Sequence, residues 1–132
     1  FKQYNDRYGH QAGDDCVRAI VALIRQMESD QIFCARYGGD EFVIIYSGMS
    51  AEEVCERAEK LRQDVMALQI EQRYAEGSFG VTISQGICHD IPSNGNKNWD
   101  FLHVADQALY RVKRRGRNRL CMTDIHGREI EV

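Results

Sequence analysis

Apolar positions recur at helical spacing in three stretches of the chain and gather into short runs between them. From Asp14 onward, Val17, Ile20, Val21, Ile24 and Met27 fall every few residues, so 14–29 reads as an amphipathic helix. Val54, Ala58, Leu61, Val65 and Leu68 stripe a second helix over 51–68, with Ser50 and Glu53 placed as a capping box at its start. Phe101, Ala105, Ala108, Leu109 and Val112 predict a third over 99–114. Ile32 to Arg36 and Phe42 to Tyr46 flank Gly38-Gly39, the pattern of a β-hairpin. Gly80 to Cys88, rich in β-branched and apolar residues, reads as a buried strand. The stretch 89–98 holds the one proline, Pro92, and reads as a loop. Leu120 to Met122 and Glu129 to Val132 are expected as short closing strands. Helices interleaved with a mainly antiparallel central sheet make an α+β fold.

With 132 residues the chain suits one domain, 1–132, with a single two-layer core. Its 43% apolar and 28% charged residues are ordinary for a soluble globular protein. A formal net charge of −3 gives no general electrostatic case for nucleic acid or an anionic membrane as a partner. No apolar run approaches the ~20 residues of a membrane span, and the N-terminus does not look like a signal. Five cysteines, Cys16, Cys34, Cys55, Cys88 and Cys121, stand singly among apolar neighbours. Free thiols in a reducing compartment account for that spacing better than disulfides or zinc, so a cytoplasmic domain is expected. The parent protein is free to be membrane-anchored. The opening, Phe1-Lys2-Gln3-Tyr4-Asn5-Asp6, starts in mid-pattern, as a chain cut into rather than begun.

Three clusters carry candidate chemistry, and each has a plain structural alternative. The first fifteen residues are dense in polar groups, with Gly9 and Gly13 expected at turns. Asp14 is either a helix cap or, with Asn5, a reader of guanine. A carboxylate accepts two parallel N–H bonds, which suits guanine N1–H and its exocyclic amine. His10 stands without an acid or nucleophile at motif spacing and reads as a structural hydrogen-bonder in the turn. Asp40-Glu41 is either surface charge on a hairpin or a hard-cation site, since Mg²⁺ is typically held by one or two carboxylates plus substrate phosphates. They sit where a strand leaves the glycine turn, and successive strand residues point to opposite faces, so only one of the two acids is expected to face a given cleft. Gly38 and Gly39 would let a nucleotide approach the backbone. Lys113, Arg114, Arg115, Arg117 and Arg119 sit at a helix end, where cations suit the macrodipole and Gly116 can cap. The same cations near a metal would neutralise a polyphosphate.

Four motifs in order then resemble the GGDEF diguanylate cyclases over nearly the whole chain. They are Phe1-Lys2-Gln3-Tyr4-Asn5-Asp6 with Gly9-His10 and Gly13-Asp14; Arg36-Tyr37-Gly38-Gly39-Asp40-Glu41-Phe42; Val81-Thr82-Ile83-Ser84 with Gly86; and Ala105-Asp106, Ala108-Leu109-Tyr110, Lys113 and Gly116-Arg117-Asn118. The resemblance implies a fold like nucleotidyl cyclases and polymerase palms, and an enzyme that joins two GTP into cyclic di-GMP with release of two pyrophosphates. It implies guanine contacts from Asn5 and Asp14, with Phe1 and Val17 packing nearby. Asp40 would be a metal ligand beside the reacting 3′-hydroxyl, with Glu41 in support. Gly38 and Gly39 would give the nucleotide room, and Lys113 and Arg117, helped by Lys2, would hold the β- and γ-phosphates. It further implies two Mg²⁺ per site (Mn²⁺ being an alternative), a catalytic homodimer, and a sensor or regulatory domain in the parent protein.

Three departures accompany it. The family's Asp-x-Asp precedes Phe-Lys, so the partner aspartate of the metal site is expected upstream of Phe1. The Arg-x-x-Asp product-inhibition positions hold Ser29 and Ile32, so no such feedback site is expected. Gln85 replaces an aliphatic residue in the third motif. The rival reading is an inactive GTP-binding or regulatory module, which would more often have lost signature residues. A fold relative without nucleotide function comes third.

Overall fold

The computed structural model describes residues 9–68 and 81–131. They form α1 (His10–Arg25), β1 (Ile32–Arg36), β2 (Phe42–Tyr46), α2 (Ala51–Ala67), β3 (Gln85–Cys88), α3 (Asn98–Arg114) and β4 (Leu120–Thr123). The class is α+β, in the order the apolar pattern predicts. Two units divide the chain, Phe1–Met49 with Gln63–Val81 and Ser50–Arg62 with Thr82–Val132.

In the first unit α1 begins earlier than its apolar stripe suggested. Gly9, at φ 88°, takes the N-cap position, a left-handed conformation that glycine adopts freely. The amide of Gly13 bonds Gly9 O at 3.1 Å, so Gly13 lies inside the helix rather than at a turn, and His10 opens it. Asp14 is therefore one turn in and does not cap. Cys16, Val17, Ile20 and Ile24 are the buried stripe. The helix stops at Arg25, short of 29, because Met27 and Glu28 bond back three residues, to Ile24 O and Arg25 O, in a tighter turn. β1 and β2 pair antiparallel, with Ile32 opposite Tyr46 and Arg36 opposite Phe42, leaving 37–41 as the loop.

In the second unit Ser50 Oγ accepts the Glu53 amide at 3.1 Å and donates to Glu53 Oε1 at 3.3 Å, capping α2. Val54, Ala58 and Leu61 are the buried positions of that helix in this unit, while Val65, also buried, belongs to the first. β3 and β4 pair in parallel, with Gln85 opposite Leu120 and Cys88 opposite Thr123. Parallel neighbours need a crossover connection, and α3 supplies it. Thus the described pairs are one antiparallel and one parallel. A Cβ on Gly86 would lie 2.1 Å from Leu109 N and 2.3 Å from Ala105 O, so only glycine lets the α3 backbone rest on β3. Ala108, Val112 and Cys121 form the buried cluster beside that contact. Gln85 now has a reason: its Nε2 donates to Ala58 O at 2.8 Å, tying β3 to α2.

The strand expected over 80–88 is shorter, since 81–84 makes no ladder and Gly80 lies outside the described residues. Its ladder begins where Gln85 N reaches Arg119 O at 3.1 Å. Immediately before Arg119 the partner segment turns left-handed, at Arg117 (φ 63°) and Asn118 (φ 49°), and strand pairing cannot continue through it. Likewise 129–131 forms no full strand. One antiparallel bridge joins Thr123 to Glu129 after a turn in which Asp124 Oδ1 accepts the amides of His126 and Arg128. Val132 lies outside the described residues.

Candidate functional site

The loop 37–41 closes the β1–β2 hairpin, with Tyr37 N and Gly38 N both donating to Glu41 O, at 2.8 and 3.2 Å. Arg36, the last residue of β1, folds over it. Its Nε donates to Gly38 O at 3.1 Å and its Nη2 to Gly39 O at 2.5 Å, so one planar guanidinium holds two successive carbonyls. Neither glycine has a positive φ. A Cβ on Gly39 would meet nothing within 4 Å, and one on Gly38 only Glu41, at 3.9 Å. Neither a positive φ nor packing among the described residues requires glycine here. Asp40 and Glu41 lie in the loop, ahead of Phe42, so strand alternation does not separate them. Both are exposed, and neither carboxylate has a hydrogen bond or ion pair among the described residues.

On α1 the adjacent acids differ. Asp15 accepts Gln11 Nε2 at 3.2 Å and pairs with Arg18 at 3.6 Å. Asp14 is exposed, and its carboxylate has no partner among the described residues. Val17 is 7% exposed and belongs to the core stripe. Phe1, Lys2 and Asn5 lie outside the described residues.

In the second unit the end of α3 sorts its cations sharply. Arg111 donates to Gly127 O at 3.0 Å and lies 3.8 Å from Glu129. Arg115 donates to Glu129 Oε1 at 2.5 Å, and this bond holds the Glu129 carboxyl below its ordinary pKa. Arg114 lies over the Tyr110 ring, and Arg119 Nε donates to Arg117 O at 3.0 Å. Lys113 and Arg117 are exposed, and neither side chain has a partner among the described residues.

The backbone there is unusual. Gly116, at φ 112°, ends the helix, and Arg117 N reaches back to Val112 O at 3.0 Å, the longer bond of a Schellman motif. Two further left-handed residues follow, Arg117 and Asn118. Asn118 N donates to Ser84 Oγ at 3.2 Å, while Asn118 Oδ1 accepts Arg62 Nη1 at 3.0 Å. Sequence reading missed Arg62, Ser84 and Arg36 as parts of these loops. Asparagine, which tolerates the left-handed region, after Gly-Arg was the one local signal for the second loop.

A cavity of about 170 Å³ in this unit is lined by Cys55, Arg115, Cys121, Met122 and Glu129 among others, and neither Lys113 nor Arg117 borders it. All five cysteines are free thiols. Burial, the largest cause in each case, raises the pKa of Cys34, Cys55 and Cys121, and that of Cys88 to about 11. They remain protonated at neutral pH, as expected of inert thiols.

The family model for the GGDEF domain of diguanylate cyclases matches residues 1–119. The chain belongs to the GGDEF family. It is 35% identical to a diguanylate cyclase of Vibrio cholerae, over 92% of this chain and 36% of that protein. It is 33% identical to diguanylate cyclase DosC of Escherichia coli, over 91% of this chain and 25% of that protein. The chain thus spans about a third or less of these relatives' length. Among solved structures it is similar to the coiled coil and GGDEF domain of DgcB from Caulobacter crescentus in complex with c-di-GMP. There the TM-score is 0.82 at 32% identity, covering 92% of this chain and 63% of that one.

For a GGDEF domain the donor set matters as much as the signature. Among the described residues no group of three or more His, Cys, Asp or Glu would hold a metal unaided. The oxygen donors of Asp40 and Glu41 nonetheless fit a hard cation such as Mg²⁺, whose shell is commonly completed by substrate phosphates. No described helix is long and apolar enough to cross a membrane.

Proposed function

We propose that this chain is one catalytic domain that condenses two GTP into cyclic di-GMP, releasing two pyrophosphates. One observation supports the reading: among the described residues Asp40, Glu41, Lys113 and Arg117 have no side-chain partner, whereas Arg36, Arg111 and Arg115 near them are bound within the chain. Asp14 differs from Asp15 in the same way. Charges kept unoccupied among partnered ones are available to a ligand.

In this reading Asp14 accepts N1–H and the exocyclic amine of guanine, and Asn5 reads the remaining edge. Phe1 and the α1 face around Val17 supply apolar contact. Gly38 and Gly39 leave the nucleotide room. Lys113 and Arg117, with Lys2, neutralise the β- and γ-phosphates and the charge that builds on departing pyrophosphate. Asp40 and an aspartate upstream of Phe1 would hold Mg²⁺ (two ions per site, Mn²⁺ being an alternative), with Glu41 in support. A bound ion of this kind screens phosphate charge and acidifies a coordinated hydroxyl. Asp40 also stands ready to take the proton from the attacking 3′-hydroxyl, so that this oxygen displaces pyrophosphate in line.

Each domain holds one GTP, so two copies meet with half-sites aligned. Encounter then becomes the controlled quantity, and a sensor domain elsewhere in a cytoplasmic or membrane-anchored parent would set it. Ser29 and Ile32 stand at the Arg-x-x-Asp positions, so this reading includes no product-inhibition site there. No nucleic-acid partner is proposed.

The test is incubation of the domain, including the upstream segment, with GTP and Mg²⁺ and chromatography for cyclic di-GMP. Asp40→Ala should lose at least about 10²–10³-fold in turnover. GTP binding without product from folded, dimeric protein would replace this reading by the inactive GTP-binding module. Neither binding nor product would leave only the fold.

A further inference from the structure

Resting on that reading, we propose that Arg62 and Asn118 are positioning residues for the phosphate-binding cation Arg117. The one sits on α2 and the other beside Arg117, and together they hold a left-handed turn that aims the free guanidinium.

Asparagine enters the left-handed region readily, but arginine does so at a cost in steric energy. Such a conformation persists where its surroundings over-determine it. Here they do, through four bonds. Arg117 N is held by Val112 O at 3.0 Å, and Arg117 O by Arg119 Nε at 3.0 Å. Asn118 N is held by Ser84 Oγ at 3.2 Å, and Asn118 Oδ1 by Arg62 Nη1 at 3.0 Å. The main chain on both sides of the Arg117 side chain is fixed, while that side chain remains unpaired among the described residues.

Arg62 anchors the arrangement. Its Nε donates to Glu59 Oε2 at 3.0 Å and its Nη2 to Glu59 Oε1, one turn back on α2. Two parallel bonds fix the guanidinium plane, and Nη1 is then directed at Asn118. The Arg62 side chain is only 18% exposed, so water competes weakly for it. Lysine has no such fork and could not bond the carboxylate twice while reaching Asn118. A helix more than fifty positions upstream in sequence thereby sets the backbone of a phosphate-binding residue.

The experiment measures GTP steady-state kinetics for wild type, Arg62→Lys, Arg117→Ala, their double variant, Asn118→Ala and Asn118→Gly. Arg62→Lys keeps the charge and should raise KM for GTP roughly ten-fold with kcat within about two-fold. The double variant should be no worse than Arg117→Ala alone, because both changes remove one function. Asn118→Gly keeps the left-handed backbone accessible and should raise KM less than Asn118→Ala. A lowered melting temperature with unchanged KM in Arg62→Lys overturns the proposal, as does multiplication of the two effects in the double variant. Equal wild-type KM in both Asn118 variants also overturns it. If wild type itself neither binds nor converts GTP, the functional reading fails first, an outcome distinct from an active wild type with an insensitive Arg62→Lys.

Discussion

The signature loop 37–41 and the loop after α3, 115–119, each carry charge without a partner among the described residues, but they are built by opposite means. In the first, the glycines keep ordinary φ, and one neighbouring arginine, Arg36, steadies the turn. In the second, three successive residues are left-handed, and contacts from α2 and from Ser84 hold them. In the proposed function the first loop uses small residues for clearance, while the second uses a strained backbone for direction and so needs a platform.

That platform offers the largest way to break the comparison. Gly86 lies two residues beyond Ser84, and a Cβ there would fall 2.1 Å from Leu109 N and 2.3 Å from Ala105 O. Backbone cannot yield as a flexible side chain does, so α3 must lift from β3. Overpacking of this kind costs roughly 1–3 kcal/mol and sometimes more. Gly86→Ala should lie at or above the upper end, read as a lower urea midpoint. A midpoint equal to wild type would mean α3 does not rest on β3 as described.

Glycine substitutions in the two loops sharpen the contrast with a smaller effect. Gly116→Ala places a Cβ at φ 112°, where L-residues are strained, and should destabilise by about 1–2 kcal/mol. Gly39→Ala meets nothing within 4 Å and has no positive φ, so its stability should stay within about 0.5 kcal/mol of wild type. On the proposed function, formation of cyclic di-GMP should nevertheless fall, since the methyl occupies the approach to the loop. Equal stability loss in both variants would show that the first loop also depends on glycine for its conformation.

The same contrast explains what could be read from the chain alone. β1 and β2 match their apolar runs because Gly38-Gly39 punctuates them and their pairing is local. The start of α1 was displaced because Asp14 has the chemistry of a cap, while the left-handed Gly9 takes that position. β3 is shorter than its apolar run because its partner chain turns at 117–118, a fact no property of 80–88 encodes. Gln85 looked anomalous until Ala58 O became visible as its acceptor. Local chemistry marked 113–119 only as a basic cluster, and the family resemblance singled out Lys113 and Arg117 within it. Tertiary contacts decided which neighbours would be tied down, and that distinction separates Lys113 and Arg117 from the other cations near them.

The smallest effect concerns the acid that occupies those other cations. Arg115 donates to Glu129, with Arg111 nearby, and the Arg115 bond is the main reason its carboxyl titrates below the usual range. A depressed folded-state pKa stabilises the fold above the unfolded value of about 4.3, and the contribution is lost as pH falls through the folded value. Asp90, held down chiefly by the Ile125 and Ile91 amides, titrates with the same sign. Glu129→Gln should therefore show a shallower, though not flat, loss of stability between about pH 5 and pH 3 than wild type. Denaturant midpoints across that window measure the difference. Asp40 and Glu41 have no such partner among the described residues, so Asp40→Asn should leave the neutral-pH stability within about 0.5 kcal/mol of wild type. If Asp40→Asn lowers the neutral-pH midpoint as much as Glu129→Gln, which loses its bond to Arg115, the Asp40 carboxylate is held within the chain, and the contrast between the two loops fails.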